Sequence, residues 1–117
     1  MARDVRLFLQ DILENIKDIK NFSKGIVKAD LKKDIMRQKA IVRSIEIIGE
    51  AVKNIPDSLK NKHLEIPWRK IAGTRDLIIH AYFGVDLDVA WKIIQEDIID
   101  LEPKIQKILN DSENFKI

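Results

Sequence analysis

The chain has 117 residues, no cysteine and a formal net charge of +2. This length allows one domain, over residues 1–117, and is too short for two, while the lack of thiols excludes disulfides and thiolate metal sites. A nearly neutral chain is not expected to bind nucleic acid by bulk charge alone, and none of its apolar runs approaches the ~20 residues of a membrane span.

The N-terminal stretch lacks the apolar block of a cleavable signal, which predicts a cytoplasmic protein. Its apolar residues recur at steps of four and three, at Val5, Leu9, Ile12, Ile16 and Ile19. This period predicts an amphipathic helix, with Asp4 capping its start and Gly25 ending it. A second helix is predicted from Asp30 to Asn54. Gly49 lies inside it at a cost of about 1 kcal/mol relative to alanine, so we expect another helix to approach closely there.

The second half of the chain predicts two further main helices. Pro67 can begin the first of these helices, because the backbone N–H groups of a first turn have no partner within the helix and proline lacks this group. This helix is expected to break at Gly73 and to end near Gly84. The last helix is expected to begin around Asp86 or Asp88, and Pro103 is expected to interrupt and kink it. No segment alternates with the period of a strand. The predicted fold is all-α, an antiparallel four-helix bundle with an additional short helix.

One stretch of the third predicted helix, TRDLIIHAYFGVD, carries Arg75, Asp76, His80 and Tyr82 among apolar residues. On an ideal helix Asp76 and His80 are neighbours that could hydrogen-bond, and Arg75 and Tyr82 share a stripe. Arg75 and His80 diverge by about 140° on such a helix. We therefore expect them to converge only through a distortion near the following glycine or in a cleft formed with another subunit.

These side chains have a coherent chemistry. The guanidinium of an arginine can bind a phosphate through two N–H donors and stabilise charge on phosphoryl oxygens. A histidine can take a proton from a ribose 2′-hydroxyl and return one to the leaving oxygen. Arg75 and His80 could thus cleave RNA without a metal or other cofactor. The alternative is a partly buried histidine that Asp76 satisfies and that has no catalytic role.

The motif and its flanks resemble the HepT family of toxins in the HEPN superfamily of all-helical nucleases. Arg75, Asp76, His80 and Tyr82 match its signature of an arginine, a polar residue, a histidine and a tyrosine in order and spacing. Further matches are "IGEA" at 48–51, "PW" at 67–68 and the helix-interior Pro103. The resemblance covers nearly the whole chain, although Asp76 stands where many relatives carry asparagine.

The resemblance implies a function. HepT proteins are metal-independent endoribonuclease toxins whose two Arg–His motifs meet in the cleft of a homodimer. By position, Arg75 and His80 would be catalytic, with Asp76 supporting them. HepT toxins are encoded beside a nucleotidyltransferase antitoxin, MntA, which can silence them by transferring AMP to the motif tyrosine, here Tyr82.

Several other polar residues allow two interpretations. Glu46 and Glu50 lie four apart, as an acid–base or metal-binding pair would, but no third ligand follows. Their alternative role is structural: pairing with Arg43, or orienting Arg75 from an adjacent helix. His63 is expected at the surface or in a cap. The basic residues Lys28, Lys32, Lys39 and Arg43 share a stripe that could steer RNA or simply be solvated surface. Trp68 and Trp91 are expected to anchor the core or a dimer interface.

Two other functions compete with the nuclease. The first is a non-catalytic HEPN-type module that binds and regulates a nucleotidyltransferase. The second is a histidine phosphotransfer bundle, in which Arg75 and Tyr82 would have no role and the histidine would lie exposed in mid-helix.

Overall fold

The computed structural model describes residues 4–80 and 84–114. In chain order, its elements are α1 (Val5–Ser23), α2 (Lys28–Lys33), α3 (Ile35–Lys53), α4 (Asp57–Lys60), α5 (Trp68–Ala72), α6 (Thr74–Ile78), β1 (Ile79–His80), β2 (Gly84–Val85), α7 (Leu87–Lys92), a π-helical turn (Ile93–Asp97) and α8 (Ile98–Asn114). The all-α class is confirmed. Within the described ranges the two strands are only two residues each, and they pair antiparallel.

The start and end of α1 follow the predicted caps. The Asp4 carboxylate accepts a hydrogen bond from the backbone amide of Arg6 at 2.9 Å, which satisfies one of the amides that a helix start leaves without a partner. The helix ends at Ser23. Gly25 then takes a φ of +75°, a conformation that costs glycine little because it has no Cβ.

The second predicted helix starts near the predicted Asp30, at Lys28, and ends near Asn54, but its predicted continuity is wrong. It is interrupted at Asp34. The Asp34 carboxylate accepts from the amide of Arg37 at 2.9 Å, and the Gln38 side-chain amide donates to the carbonyl of Leu31 at 2.8 Å. Asp34 thus caps a new helix, because short acidic side chains compete with the helical hydrogen bonds of the backbone.

The third predicted helix is two short helices instead. The break predicted at Gly73 is confirmed, since Gly73 caps the C-terminus of α5 and α6 follows directly. The predicted end near Gly84 is wrong, because α6 ends at Ile78. The backbone then becomes extended, and the pairing of His80 with Gly84 reverses the chain direction.

The last helical segment starts where the sequence predicts. The Asp86 carboxylate caps α7 by accepting from the amides of Asp88 and Val89 at 3.1 and 3.2 Å. The α-helical pattern of α8 continues through Pro103, so the predicted interruption there is wrong. The irregular turn lies earlier, in the π-helical segment Ile93–Asp97.

The core lies where α1 packs against α3 and α8. The largest fully buried side chains come from all parts of the fold: Leu9, Ile12, Ile16, Ile19, Leu31, Ile41, Val52, Ile66 and Ile105. Trp68 is buried as well, and its indole N–H donates to the carbonyl oxygens of Lys60 and His63 at 3.2 and 3.0 Å. Trp91 packs against this core, partly buried. Among the residues described, no helix is long and apolar enough to span a bilayer.

Candidate functional site

Arg75 lies in the first turn of α6, between two carboxylates. Its Nε is 3.7 Å from Oε2 of Glu46 on α3, and its NH1 is 3.6 Å from Oδ1 of Asp76. The Arg75 side chain is 53% exposed. The guanidinium therefore has a carboxylate within 4 Å on two sides, while part of the side chain still faces solvent.

Gly49 explains why Glu46 can reach Arg75. A Cβ at Gly49 would lie 3.3 Å from the carbonyl oxygen of Ala72 and 3.5 Å from that of Ile71. Helices α3 and α5 thus approach more closely than a side chain at this position would allow, which confirms the predicted close contact. Glu46 lies about one turn before Gly49, and Arg75 lies three residues after Ala72.

Glu46 also contacts Arg43, whose NH1 is 3.9 Å from Glu46 Oε2. Both structural roles predicted for this glutamate are thus observed: it pairs with Arg43 and it contacts Arg75 from an adjacent helix. Glu50 is exposed one turn further along α3. Over the described parts of the chain, no group of three or more histidine, aspartate and glutamate side chains is placed to hold a metal ion.

A polar cleft of about 480 Å³ opens beside Arg75, between α1, α3 and the α5–α6 junction. Its charged lining residues are Arg43, Lys53 and Arg75 as cations, and Asp11, Glu46, Glu50 and Asp76 as acids. Three positive and four negative groups therefore share one cavity. A bound phosphate would gain from the cations but would compete with the carboxylates that already surround Arg75.

His80 lies in β1, outside the helix that carries Arg75. The predicted helical relation of His80 to Asp76 and to Arg75 is wrong, because α6 ends two residues earlier and the backbone turns to pair with Gly84. The convergence of Arg75 and His80 stays a prediction. Tyr82 falls outside the described residues.

The remaining polar candidates have structural surroundings. His63 is partly buried, its Nδ1 lies 3.6 Å from Glu65 Oε1, and its carbonyl accepts from Trp68. His63 caps neither neighbouring helix, since Asn61 ends α4 and Pro67 precedes α5. In the basic stripe, Lys28 is paired with Asp88 on α7, whereas Lys32 and Lys39 are exposed. Only the Arg43 end of the stripe borders the cleft.

Sequence reasoning missed two charged residues of the cleft, Asp11 on α1 and Lys53 at the end of α3. Their positions carry no distinctive pattern, because a charged residue on the polar face of an amphipathic helix is ordinary surface until the neighbouring helices are placed. Only the packing of α1 against α3 brings them to the same cavity as Arg75.

Comparisons with known proteins agree on one family. A family model described as "Ribonuclease HepT-like" matches residues 12–108. A protein of Methanocaldococcus jannaschii named as a candidate RNase is 44% identical over 116 residues, covering 96% of each chain. "Probable ribonuclease HepT" of Thermococcus cleftensis is 48% identical over 108 residues, covering 92% of this chain and 98% of that one. No solved structure matches the chain at a significant level.

Proposed function

The chain belongs to the ribonuclease HepT-like family, and from that premise we propose that it is an endoribonuclease that cleaves RNA without a metal ion, with Arg75 and His80 as catalytic residues. The observation that carries this proposal is the placement of Arg75 at a polar cleft. Arg75 also opens the run of residues that matches the family motif, in which His80 and Tyr82 follow in order and spacing.

The proposed reaction is internal transfer at phosphorus. The imidazole of His80 takes the proton of a ribose 2′-hydroxyl, and the 2′-oxygen attacks the adjacent phosphorus. The guanidinium of Arg75 stabilises the charge on the non-bridging oxygens. The bond to the 5′-oxygen breaks, and this oxygen takes a proton from the imidazolium form of His80. The products are a 2′,3′-cyclic phosphate and a 5′-hydroxyl. Before RNA binds, Asp76 supports the site by its contact with Arg75, and a substrate phosphate would then displace its carboxylate from NH1.

We further propose that the protein is the toxin of a toxin–antitoxin pair and that its partner is a nucleotidyltransferase related to MntA. In the silencing step, a base of the nucleotidyltransferase takes the proton of the Tyr82 hydroxyl, the phenolic oxygen attacks the α-phosphorus of ATP, and pyrophosphate leaves. The attached AMP carries one negative charge, which could pair with Arg75 and occupy the place of a substrate phosphate. Family membership and the place of Tyr82 in the motif support this proposal.

A non-catalytic module that binds and regulates a nucleotidyltransferase is the second candidate. The charge of the cleft favours it: four acids face three cations, and Arg75 already lies within 3.7 Å of two carboxylates. An arginine held in this way could serve a protein interface instead of a phosphate. The two candidates differ in whether the purified protein cleaves RNA.

The deciding experiment incubates purified protein with RNA in excess EDTA and compares the parent with Arg75→Ala and His80→Ala. We expect cleavage by the parent and a loss of roughly 10²-fold or more in each variant, the usual effect of removing an acid–base group, here His80, or a donor that stabilises transition-state charge, here Arg75. Melting temperatures should stay close to that of the parent. Arg69→Ala is a matched control, because Arg69 is exposed on the adjacent α5 and should keep full activity.

Each outcome has a clear reading. A His80→Ala protein that cleaves at the parent rate would remove histidine from the mechanism. A His80→Ala protein that unfolds would support the core-histidine alternative. A parent that leaves RNA intact, yet binds the nucleotidyltransferase, would favour the non-catalytic module.

The silencing step is tested by co-expression with the neighbouring nucleotidyltransferase and mass spectrometry of the intact chain and its peptides. We expect AMP-sized additions on the parent at Tyr82 and none on Tyr82→Phe, which should remain toxic. Additions mapped to other residues, or a silenced Tyr82→Phe, would exclude this form of control without affecting the nuclease proposal.

A further inference from the structure

We infer that Glu46 is a positioning residue for Arg75: it holds the Nε edge of the guanidinium from α3 and leaves the terminal nitrogens to face a substrate phosphate. This inference rests on the proposed ribonuclease function. It assigns a role to a residue outside the Arg–His motif.

Glu46 and Asp76 lie at different edges of the Arg75 guanidinium. Glu46 lies 3.7 Å from Nε, the edge nearest the side-chain stem. Asp76 lies 3.6 Å from NH1, one of the two nitrogens at the far end. An arginine binds phosphate best through two parallel N–H donors. A carboxylate on the Nε side restricts the rotation of the plane without taking both terminal nitrogens.

The two acids also differ in how firmly they are placed. The Glu46 side chain is 31% exposed and stands on a 19-residue helix, whereas Asp76 is 82% exposed and follows Arg75 directly in the short α6. Water screens the contact of Asp76 more strongly. Glu46 also lies one turn before Gly49, where α3 and α5 approach closely, and α6 with Arg75 follows α5 directly. Glu46 is therefore the acid suited to orient the arginine.

The contact of Glu46 with Arg43 extends this role to the mouth of the cleft. One carboxylate oxygen, Oε2, lies 3.7 Å from Arg75 Nε and 3.9 Å from Arg43 NH1. A single glutamate thus keeps two cations on the same side of the cavity, although they belong to different helices. Partly exposed pairs of this length contribute little to folding stability, so removing the carboxylate should leave the fold intact and disturb mainly the orientation of Arg75.

Charge alone and positioning make different predictions for the kcat of Glu46→Gln: the first leaves kcat unchanged and the second lowers it. Removing a negative group beside a phosphate site should tighten RNA binding if the carboxylate acts only through its charge. If it positions Arg75, kcat should fall by about 10- to 100-fold, the effect of a misplaced catalytic group, while KM stays the same or falls. Steady-state cleavage of a short RNA, at fixed ionic strength, separates the two parameters.

Glu50→Gln provides the matched comparison. It removes the same charge from the same cleft, one turn further along α3. Within the described residues it forms no ion pair with Arg75, so it should lower KM without lowering kcat. In an Arg75→Lys background, which keeps the positive charge but lacks the Nε edge, Glu46→Gln should cause no further loss of kcat. The ¹H–¹⁵N resonance of Arg75 Nε should shift in Glu46→Gln and stay in place in Glu50→Gln.

The outcomes distinguish this inference from the function it rests on. A parent that cleaves no RNA would overturn both. A parent that cleaves, with inactive Arg75→Ala and His80→Ala but fully active Glu46→Gln, would overturn the positioning role alone. Equal changes in kcat for Glu46→Gln and Glu50→Gln would also overturn it. So would a loss of kcat from Glu46→Gln in the Arg75→Lys background that equals the loss in the parent background.

Discussion

Arg75 is the residue on which the candidate site depends, and the two carboxylates beside it should have different effects on catalysis. Glu46 lies at the Nε edge, where a phosphate does not need to bind. Asp76 lies at NH1, where a phosphate oxygen would have to replace it. Its negative charge is therefore expected to oppose binding of substrate.

We predict that Asp76→Asn raises kcat/KM for RNA cleavage by about 2- to 5-fold, since an exposed ion pair is worth at most about 1 kcal/mol. The gain should shrink as salt is added, because screening weakens a contact between exposed groups. Initial rates at low and high ionic strength measure both effects. A drop in activity would mean that the Asp76 carboxylate assists the reaction instead of competing with the substrate.

The sequence predicted part of this residue-level picture. It indicated that Glu46 pairs with Arg43, three residues earlier on the same helix, or contacts Arg75 from an adjacent helix. Both contacts are observed. It did not predict the surroundings of His80. The apolar period suggested a continuous helix, but Ile78 and Ile79 are β-branched and favour an extended chain, and α6 ends between them.

Among the elements, the junction of α3 and α5 positions the site. Its tight point is Gly49, where an added Cβ would meet a backbone carbonyl, which cannot rotate away as a side chain could. At Gly73 an added Cβ would meet its nearest atom, the Arg69 carbonyl oxygen, only at 3.6 Å. The two glycines lie at the same junction and differ in the space available.

We predict that Gly49→Ala lowers the free energy of unfolding by about 1–2 kcal/mol, because the cost of overpacking exceeds the gain in helix propensity. Gly73→Ala, the matched control, should change stability little. Urea unfolding monitored by circular dichroism measures both. Gly49→Ala should also lower kcat, since separating α3 from α5 moves Glu46 away from Arg75. A Gly49→Ala protein as stable and active as the parent would show that the junction is not constrained.

Helices were easier to predict than their interruptions. The helical spacing of apolar residues predicted α1, α3 and α8, because a helix that buries one face repeats apolar residues at this spacing over many turns. The breaks depend on single residues and on local hydrogen bonds. Asp34 caps a new helix through one contact with Arg37, and the π-helical turn at Ile93–Asp97 inserts a residue into a segment whose apolar spacing still looks regular. Such irregular turns often accompany functional sites, but no single residue type marks them.

At the scale of the whole molecule, the number of chains in the active unit remains a prediction. The resemblance implies a homodimer in which two Arg–His motifs face each other across one cleft. In a single chain, Arg75 lies in the first turn of α6, and His80 lies beyond the end of that helix, in β1. A second chain could supply the histidine for each arginine, and a two-fold axis would then create two equivalent sites.

We predict that mixing two inactive proteins, Arg75→Ala and His80→Ala, restores RNA cleavage. In a mixed dimer, one site would combine the intact Arg75 of one chain with the intact His80 of the other. After random exchange half of the dimers are mixed and each has one working site of two, so activity should reach about a quarter of the parent value. Exchange is driven by mild denaturant and refolding, and light scattering monitors the dimer.

The control is a mixture of Arg75→Ala with a double variant that carries both substitutions, which leaves no chain with an intact Arg75 and should stay inactive. If each site uses Arg75 and His80 of the same chain, both mixtures stay inactive even though mixed dimers form. A parent protein that scatters light as a monomer at micromolar concentration would exclude the shared site directly. Restored activity in the first mixture alone would show that the arginine and the histidine act across the two-fold axis.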